Sequence, residues 1–202
     1  MSEFGTGNDN TNNTNNTNNN TNNNNNNNKN SNNDLITIAT VECFTLGKIG
    51  IYIHKIASKY PELDYFLNKN PEYIILHSSK VLTAMFMPSK EIAETFLNIA
   101  LPNSDYDYNY SKAYSQENDE LVAELMAKGL KNITKCNIAI GTTAGIGKGA
   151  ICIITDKKVY NFTSDVEADL LTKQNVSERQ KNAIEKTIKK ILDILKEEYN
   201  CE

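Results

Sequence analysis

A cysteine that follows a β-branched run and precedes a helical pattern is placed to act as a nucleophile. Cys43 stands in that position, inside Thr40-Val-Glu-Cys-Phe-Thr45. Leu35 to Val41 reads as a strand buried on both faces, the habit of parallel sheets. Leu46, Ile49, Ile53 and Ile56 then recur at helical spacing up to Tyr60-Pro61, where proline stops the helix. The pattern starts the helix within a residue or two of Cys43, so free N–H groups and the helix dipole should favour thiolate over a thiol of pKa ~8.5. Lys48 adds positive charge; Glu42 opposes it unless its carboxylate turns away or grips a ligand donor. A small buried hydrophobe fits the same spacing equally well. Both readings stand at the level of residues.

The second candidate is Gly141-Thr142-Thr143-Ala144-Gly145-Ile146-Gly147-Lys148-Gly149, a loop leaving a strand end. Glycines let backbone approach a ligand, threonine hydroxyls and free N–H groups can bind phosphate, and Lys148 supplies charge. It is not a Walker A loop, because Gly-Lys-Gly leads here into a strand rather than a helix. A flexible hairpin connection is the alternative. If the two strands are neighbours, one cleft at their carboxyl ends holds both candidates. Cys136 and Cys152 fall at or inside strand patterns and read as core, and Cys201 sits at a fraying end. No paired metal-ligand spacing links the four cysteines, so reduced thiols and no metal site are expected. His54 and His77 are the only histidines, too few to supply a histidine triad.

The positioning elements follow. Tyr73–Leu76 and Val81–Met87 look extended, and Pro88-Ser89 opens a helix through about Asn98. Acidic residues Glu117, Asp119 and Glu120 suit the first turn of a helix that should stop near Gly129. Asn137–Ile140 is a strand before the glycine loop. Ala150–Ile154 and Val159–Phe162 form a hairpin about Asp156-Lys157-Lys158. Ser177-Glu-Arg-Gln180 reads as a capping box for the last helix. The alternation predicts a three-layer α/β/α sandwich with a mixed, mainly parallel sheet. It forms one domain over residues 34–202, after an Asn-rich tail, residues 1–33, that is too polar to order itself.

Net charge is −4 across 202 residues, with no basic patch interleaved with aromatics, so nucleic acid is an unsuited partner. No apolar run spans a bilayer and no signal-peptide core is seen, which predicts a cytoplasmic protein without a membrane partner.

The chain resembles two related families. In the CinA C-terminal domain, a nicotinamide-nucleotide amidase, a serine nucleophile stands at the place of Cys43. That family's Thr-Gly-Ile-Ala-Gly-Pro loop falls on Gly141 to Ile146, and Lys80 aligns with its catalytic lysine. The closer resemblance is to the HcgF family of methanogenic archaea, which acts in biosynthesis of the iron-guanylylpyridinol cofactor of the mono-iron hydrogenase. It runs from Leu35 to about Tyr199 and rests on Glu42-Cys-Phe-Thr45, Ala84-Met-Phe-Met-Pro88, Thr143-Ala-Gly-Ile-Gly-Lys-Gly-Ala-Ile-Cys152 and Phe162-Thr-Ser-Asp-Val166. The resemblance implies that an adenylating partner of the HcgE type activates the carboxyl of guanylylpyridinol, and that Cys43 takes it as a thioester, precursor of the acyl-iron ligand. Guanylylpyridinol is then a substrate, with no tightly bound cofactor. Ligand contacts are expected from Glu42, Thr45, Gly141, Thr142, Thr143, Ala144, Gly145 and Lys148. The alternative is a Cys-nucleophile amidase acting on a pyridine nucleotide. A homodimer is the expected assembly.

Overall fold

The first strand, β1 (Ile36–Glu42), alternates Ile36 and Ile38 towards one face with Ala39 and Val41 towards the other, and both faces are buried. A strand covered on both sides needs helices above and below it. The computed structural model describes residues 35–108 and 112–201. The Asn-rich tail lies outside the described residues.

After β1 come α1 (Lys48–Ala57), α2 (Asp64–Lys69), β2 (Ser79–Phe86), α3 (Lys90–Leu97) and α4 (Gln116–Thr134). The chain continues through β3 (Ile138–Thr143), β4 (Ile146–Gly147), β5 (Ala150–Ile154), β6 (Val159–Phe162), β7 (Ala168–Asp169) and α5 (Val176–Tyr199). The main sheet runs β2-β1-β3-β5-β6, parallel from β2 to β3 and antiparallel from β3 to β6, so it is mixed. Ile38, Ile138 and Ile140 pack with Ile49 and Ile53 of α1 and Ile188, Ile191 and Leu195 of α5. Ala39, Val41 and Ala139 pack on the opposite face with Leu97 of α3 and Val122, Met126 and Leu130 of α4. This is a three-layer α/β/α sandwich, and β1, β2 and β3 end together on one edge.

Several elements differ from the sequence expectation. Tyr73–Leu76 is not extended; it lies in a 3₁₀ segment, Pro71–Ser78, that proline opens and that buries Ile75 and Leu76 in the core. Helix α4 passes through Gly129 to Thr134, because that glycine admits α3 and its exit: a Cβ there would lie 2.8 Å from Ile99 and 2.9 Å from Leu97. No capping box starts α5. Its N-cap is Asn175, with φ +53° and no side-chain cap bond.

Strand β3 is longer than its apolar run, since Gly141, Thr142 and Thr143 pair with Cys152, Ile151 and Ala150 of β5. Gly141 therefore belongs to the sheet, where the backbone of α4 fills the space above it. A Cβ there would meet Ala123 O at 2.3 Å and Ala127 N at 2.8 Å. Gly141→Ala is expected to lower stability by about 1–3 kcal/mol through forced separation of α4 from the sheet. Urea denaturation measures it, and an unchanged midpoint would show that α4 does not depend on that contact.

Candidate functional site

Cys43 is the first residue beyond β1, and its N–H donates to Thr142 O at 2.9 Å. Met87, the first beyond β2, donates to Glu42 O at 2.8 Å. The ladders thus run past the strand ends and fix the start of the turn. Helix α1 begins only at Lys48, five residues beyond Cys43, rather than within a residue or two.

Its N-terminus is satisfied by Glu42. Oε1 of Glu42 accepts from Thr40 Oγ1 at 2.8 Å and Gly50 N at 2.9 Å, while Oε2 accepts from Thr45 Oγ1 at 2.7 Å and Ile49 N at 3.1 Å. Thr45 Oγ1 also lies 2.8 Å from Thr142 Oγ1. Glu42, Thr45 and Thr142 thus spend their polar groups on one another and on α1, and they hold the turn rather than present free groups to a ligand. The helix dipole expected for the thiol is directed at Glu42.

The thiol pKa is accordingly raised, not lowered. Burial is the main cause and the Asp119 charge adds to it; Lys112, Arg179 and the Thr143 hydroxyl pull the other way. Cys43 is 7% exposed, Lys112 1%, and Asp119 and Arg179 0%. Cys136 and Cys152 sit inside apolar clusters, and burial pushes the Cys152 thiol up to about 12. Cys43 belongs to no such cluster, and three charged groups, Lys112, Asp119 and Arg179, act on its thiol.

Three elements bring those charges. Lys112 lies on the segment before α4; its N–H donates to Pro88 O at 3.0 Å and its Nζ to Met87 O. That segment ends at Tyr114, whose O accepts from Ile146 N at 3.1 Å. Asp119, in the first turns of α4, accepts from Gly145 N through Oδ2 at 2.8 Å. Arg179 of α5 donates through Nη1 to the carbonyls of Gly145 at 3.0 Å, Gly147 at 2.8 Å and Ala168 at 3.3 Å. Gly145 is held at its N–H by Asp119 and at its C=O by Arg179. The Thr143 hydroxyl borders the Cys43 thiol and the Asp119 carboxyl and completes a hydrogen bond with neither.

Not every expected residue joins this cluster. Thr143 and Gly145 do. Ala144 is packed in the apolar core, and Gly141 lies under α4. Lys148 is exposed; its charge acts on Asp165, and the cations facing Cys43 are Lys112 and Arg179. Lys80 pairs with Thr37, five strand positions before Glu42, about 16 Å away, so the lysine aligned with the amidase family does not reach Cys43. Gln180 donates to Phe44 O at 2.6 Å and accepts from Lys48 Nζ at 2.6 Å. A cavity of about 820 Å³ opens beside that bridge, lined by Lys48, Tyr52, Phe66, Tyr73, Gln180 and Ile184 among others, and Cys43 does not line it.

The sequence reading missed Lys112, Asp119 and Arg179 as site residues. Arg179 had a compositional signal: it is the only arginine among 21 Lys and Arg residues, and its planar fork offers a geometry that lysine lacks.

The model of the FeGP cofactor biosynthesis protein HcgF matches residues 35–195. The chain belongs to the HcgF family. A UPF0254 protein of Methanococcus aeolicus is 56% identical over 169 residues, covering 82% of this chain and 99% of the relative. A UPF0254 protein of Methanocaldococcus jannaschii is 51% identical over 166 residues, 82% of this chain and 99% of the relative. The crystal structure of a competence or damage-inducible protein from Enterobacter asburiae superposes with a TM-score of 0.51 at 12% identity, covering 79% of this chain and 87% of that one, a likeness of fold. The HcgF match begins past the Asn-rich stretch and contains every residue of the Cys43 cluster.

Two measurements test this geometry. Glu42→Gln sets an amide N–H₂ against backbone donors that cannot turn away, so a loss of about 1–3 kcal/mol is expected in urea denaturation; a change within about 0.5 kcal/mol would mean the carboxylate does not hold α1. Burial raises Asp119 from 3.8 to about 7, against the Gly145 N–H, Arg179 and Thr143. Between those values the native state keeps a proton that the unfolded chain has lost, so this group's stabilising contribution is complete below 3.8 and is lost as pH rises to about 7. Asp119→Asn removes that loss. Its stability relative to wild type should rise by on the order of a few kcal/mol from about pH 4 to pH 8, and a flat difference would contradict the assignment.

Proposed function

We propose that Cys43 accepts the activated carboxyl group of guanylylpyridinol as a thioester, within FeGP cofactor biosynthesis. One observation carries the reading: the thiol at the carboxyl end of the central parallel strand faces Lys112, Arg179, Asp119 and Thr143, whereas Cys136 and Cys152 are packed in apolar clusters. Membership in the HcgF family supports the pathway. An adenylating enzyme of the HcgE type supplies the acyl-adenylate.

In the transfer, the Cys43 sulfur bonds to the carbonyl carbon and the bond from that carbon to the phosphate oxygen breaks. AMP leaves with the electron pair, and the thiol proton passes to the Asp119 carboxylate. Lys112 and Arg179 offset the negative charge that builds between sulfur and phosphate. A thioester keeps the acyl group reactive enough to become the acyl ligand of iron. Glu42, Thr45 and Thr142 act by holding the turn, and Thr143 and Gly145 border the reacting groups. Among the described residues no helix is long and apolar enough to cross a membrane, and the proposal sets the reaction in the cytoplasm.

The test is intact-mass spectrometry of the full chain with guanylylpyridinol, ATP and the adenylating enzyme. An adduct of the acyl mass is expected that hydroxylamine removes, that Cys43→Ala abolishes and that Cys201→Ser leaves in place. Release of ammonia with turnover would favour the amidase instead, and an adduct that persists in Cys43→Ala would overturn the assignment.

A further inference from the structure

Four buried polar atoms beside Cys43 have no hydrogen-bond partner among the described residues: Arg179 Nε, Arg179 Nη2, Asp119 Oδ1 and Thr143 Oγ1. His77 Nε2 and Glu198 Oε2 are also unpartnered, each on its own, far in the fold from this turn. An orphaned buried donor is destabilising, and a guanidinium cannot escape that cost by losing its proton. A cluster of such atoms in one place marks a missing partner rather than a local defect.

The guanidinium is fixed by its other edge. Nη1 is spent on the carbonyls of Gly145, Gly147 and Ala168, and the group lies 5.5 Å from the ring centroid of Phe44, the neighbour of Cys43. What remains open is the Nε–Nη2 edge, two parallel N–H donors whose spacing matches the two oxygens of a carboxylate or phosphate. Asp119 does not fill it: among the described residues the two form no ion pair, and Oδ2 of Asp119 is taken by Gly145 N. Lys112 brings a second buried cation to the same thiol. Position in the helix gives no other reason for the arginine, because a cation near the N-terminal end of α5 opposes the dipole.

We propose that the Nε–Nη2 edge of Arg179, with the Thr143 hydroxyl, binds a two-oxygen anion, carboxylate or phosphate, carried by the molecule that reacts at Cys43. Arg179 is a positioning residue: it holds the anion so that the neighbouring carbonyl meets the sulfur. Which molecule carries the anion rests on the proposed function; the existence of the anion site does not. In that reaction the anion is either the free carboxylate before activation or the phosphate of the adenylate.

Alkylation of the full-length protein tests the site without the natural substrate. Iodoacetate carries a carboxylate and iodoacetamide does not, and Cys201, partly exposed, is an internal reference. Peptide mass spectrometry should show an iodoacetate-to-iodoacetamide rate ratio at Cys43 about tenfold or more above that at Cys201, and Arg179→Gln should bring it down to the Cys201 value. Arg179→Lys, with charge but no fork, should fall between. If the variants fail to fold, the wild-type ratio decides alone. A ratio equal to that of Cys201 overturns the proposal, and so does a Cys43 that neither reagent reaches, since no anion then enters. Binding assays assign the source. A tenfold tighter Kd for guanylylpyridinol than for its carboxamide marks the carboxylate, AMP binding that Arg179→Gln abolishes marks the phosphate, and dependence on neither overturns the site. An iodoacetate preference without a hydroxylamine-sensitive adduct leaves the anion site and removes the thioester; the adduct without the preference does the reverse.

Discussion

The buried Glu42 carboxylate is the constraint on which the geometry of this site depends. It sits at the end of β1, the middle one of the three parallel strands, and accepts two hydroxyl and two backbone N–H hydrogen bonds, and the backbone donors are in the first turn of α1. A side chain that reaches forward across the turn to cap the helix requires the chain between to loop out, and Cys43 lies in that loop. The same bond network determines the chemistry of the thiol. Helix N-termini favour anions, and here the anion is Glu42. Cys43 gets no share of that stabilisation and is left with burial, which favours its protonated form.

The charge balance around the sulfur follows from three segments that meet only in the folded state. Lys112 comes from the chain before α4, Asp119 from α4 and Arg179 from α5, and all are buried. Each would be costly to desolvate alone. They offset one another in part: Asp119 raises the Lys112 pKa that burial lowers, and Arg179 counters the burial that raises Asp119. At the sulfur itself two cations act against one carboxylate, while Glu91 acts on Lys112 and Asp169 on Arg179. The fold has therefore already met the desolvation of the cations before any ligand arrives, which is the condition for preorganised electrostatic stabilisation.

How much of this the sequence showed depends on whether a residue's role was local. Strand β1, the helix after it and the β5–β6 hairpin follow from periodicity and turn residues that act within a few positions, and the layered α/β arrangement follows from their order. Cys43 was visible because it directly follows the strand and a helical pattern begins within a few residues, although α1 itself starts only at Lys48. The rest of the cluster was not. Asp119 sits among acidic residues that a helix dipole explains, and only its contact with Gly145, 26 residues on, reveals it as buried. Lys112 lies where there is no apolar period to read. Ser177 and Gln180 fitted a capping box around Arg179, but the helix starts at Val176 after the Asn175 N-cap, and the Arg179 and Gln180 side chains cross to the glycine loop and to Phe44. The glycines of that loop were legible as sites of close approach, but what approaches Gly141 is α4 rather than a ligand.

Access to the thiol is the remaining physical problem, and the contacts around it indicate which parts must yield. Two tethers hold the chain around Cys43: the Lys112 segment is tied to Pro88 and Met87, and the carbonyl of Phe44, the next residue, is bridged through Gln180 to Lys48. The bridge is the weaker of the two, since its Lys48–Gln180 bond is exposed and a solvated bond of that kind contributes little. It also stands at the rim of the 820 Å³ cavity between α1 and α5. Opening the bridge would leave the bonds to the Glu42 carboxylate in place, since neither the Lys48 nor the Gln180 side chain takes part in them. Cys43 itself is 7% exposed, so water has little access to the sulfur. An enclosure of that kind suits a site that stores an acyl group better than one that hydrolyses it, because hydrolysis needs a water at the carbonyl and storage needs its absence.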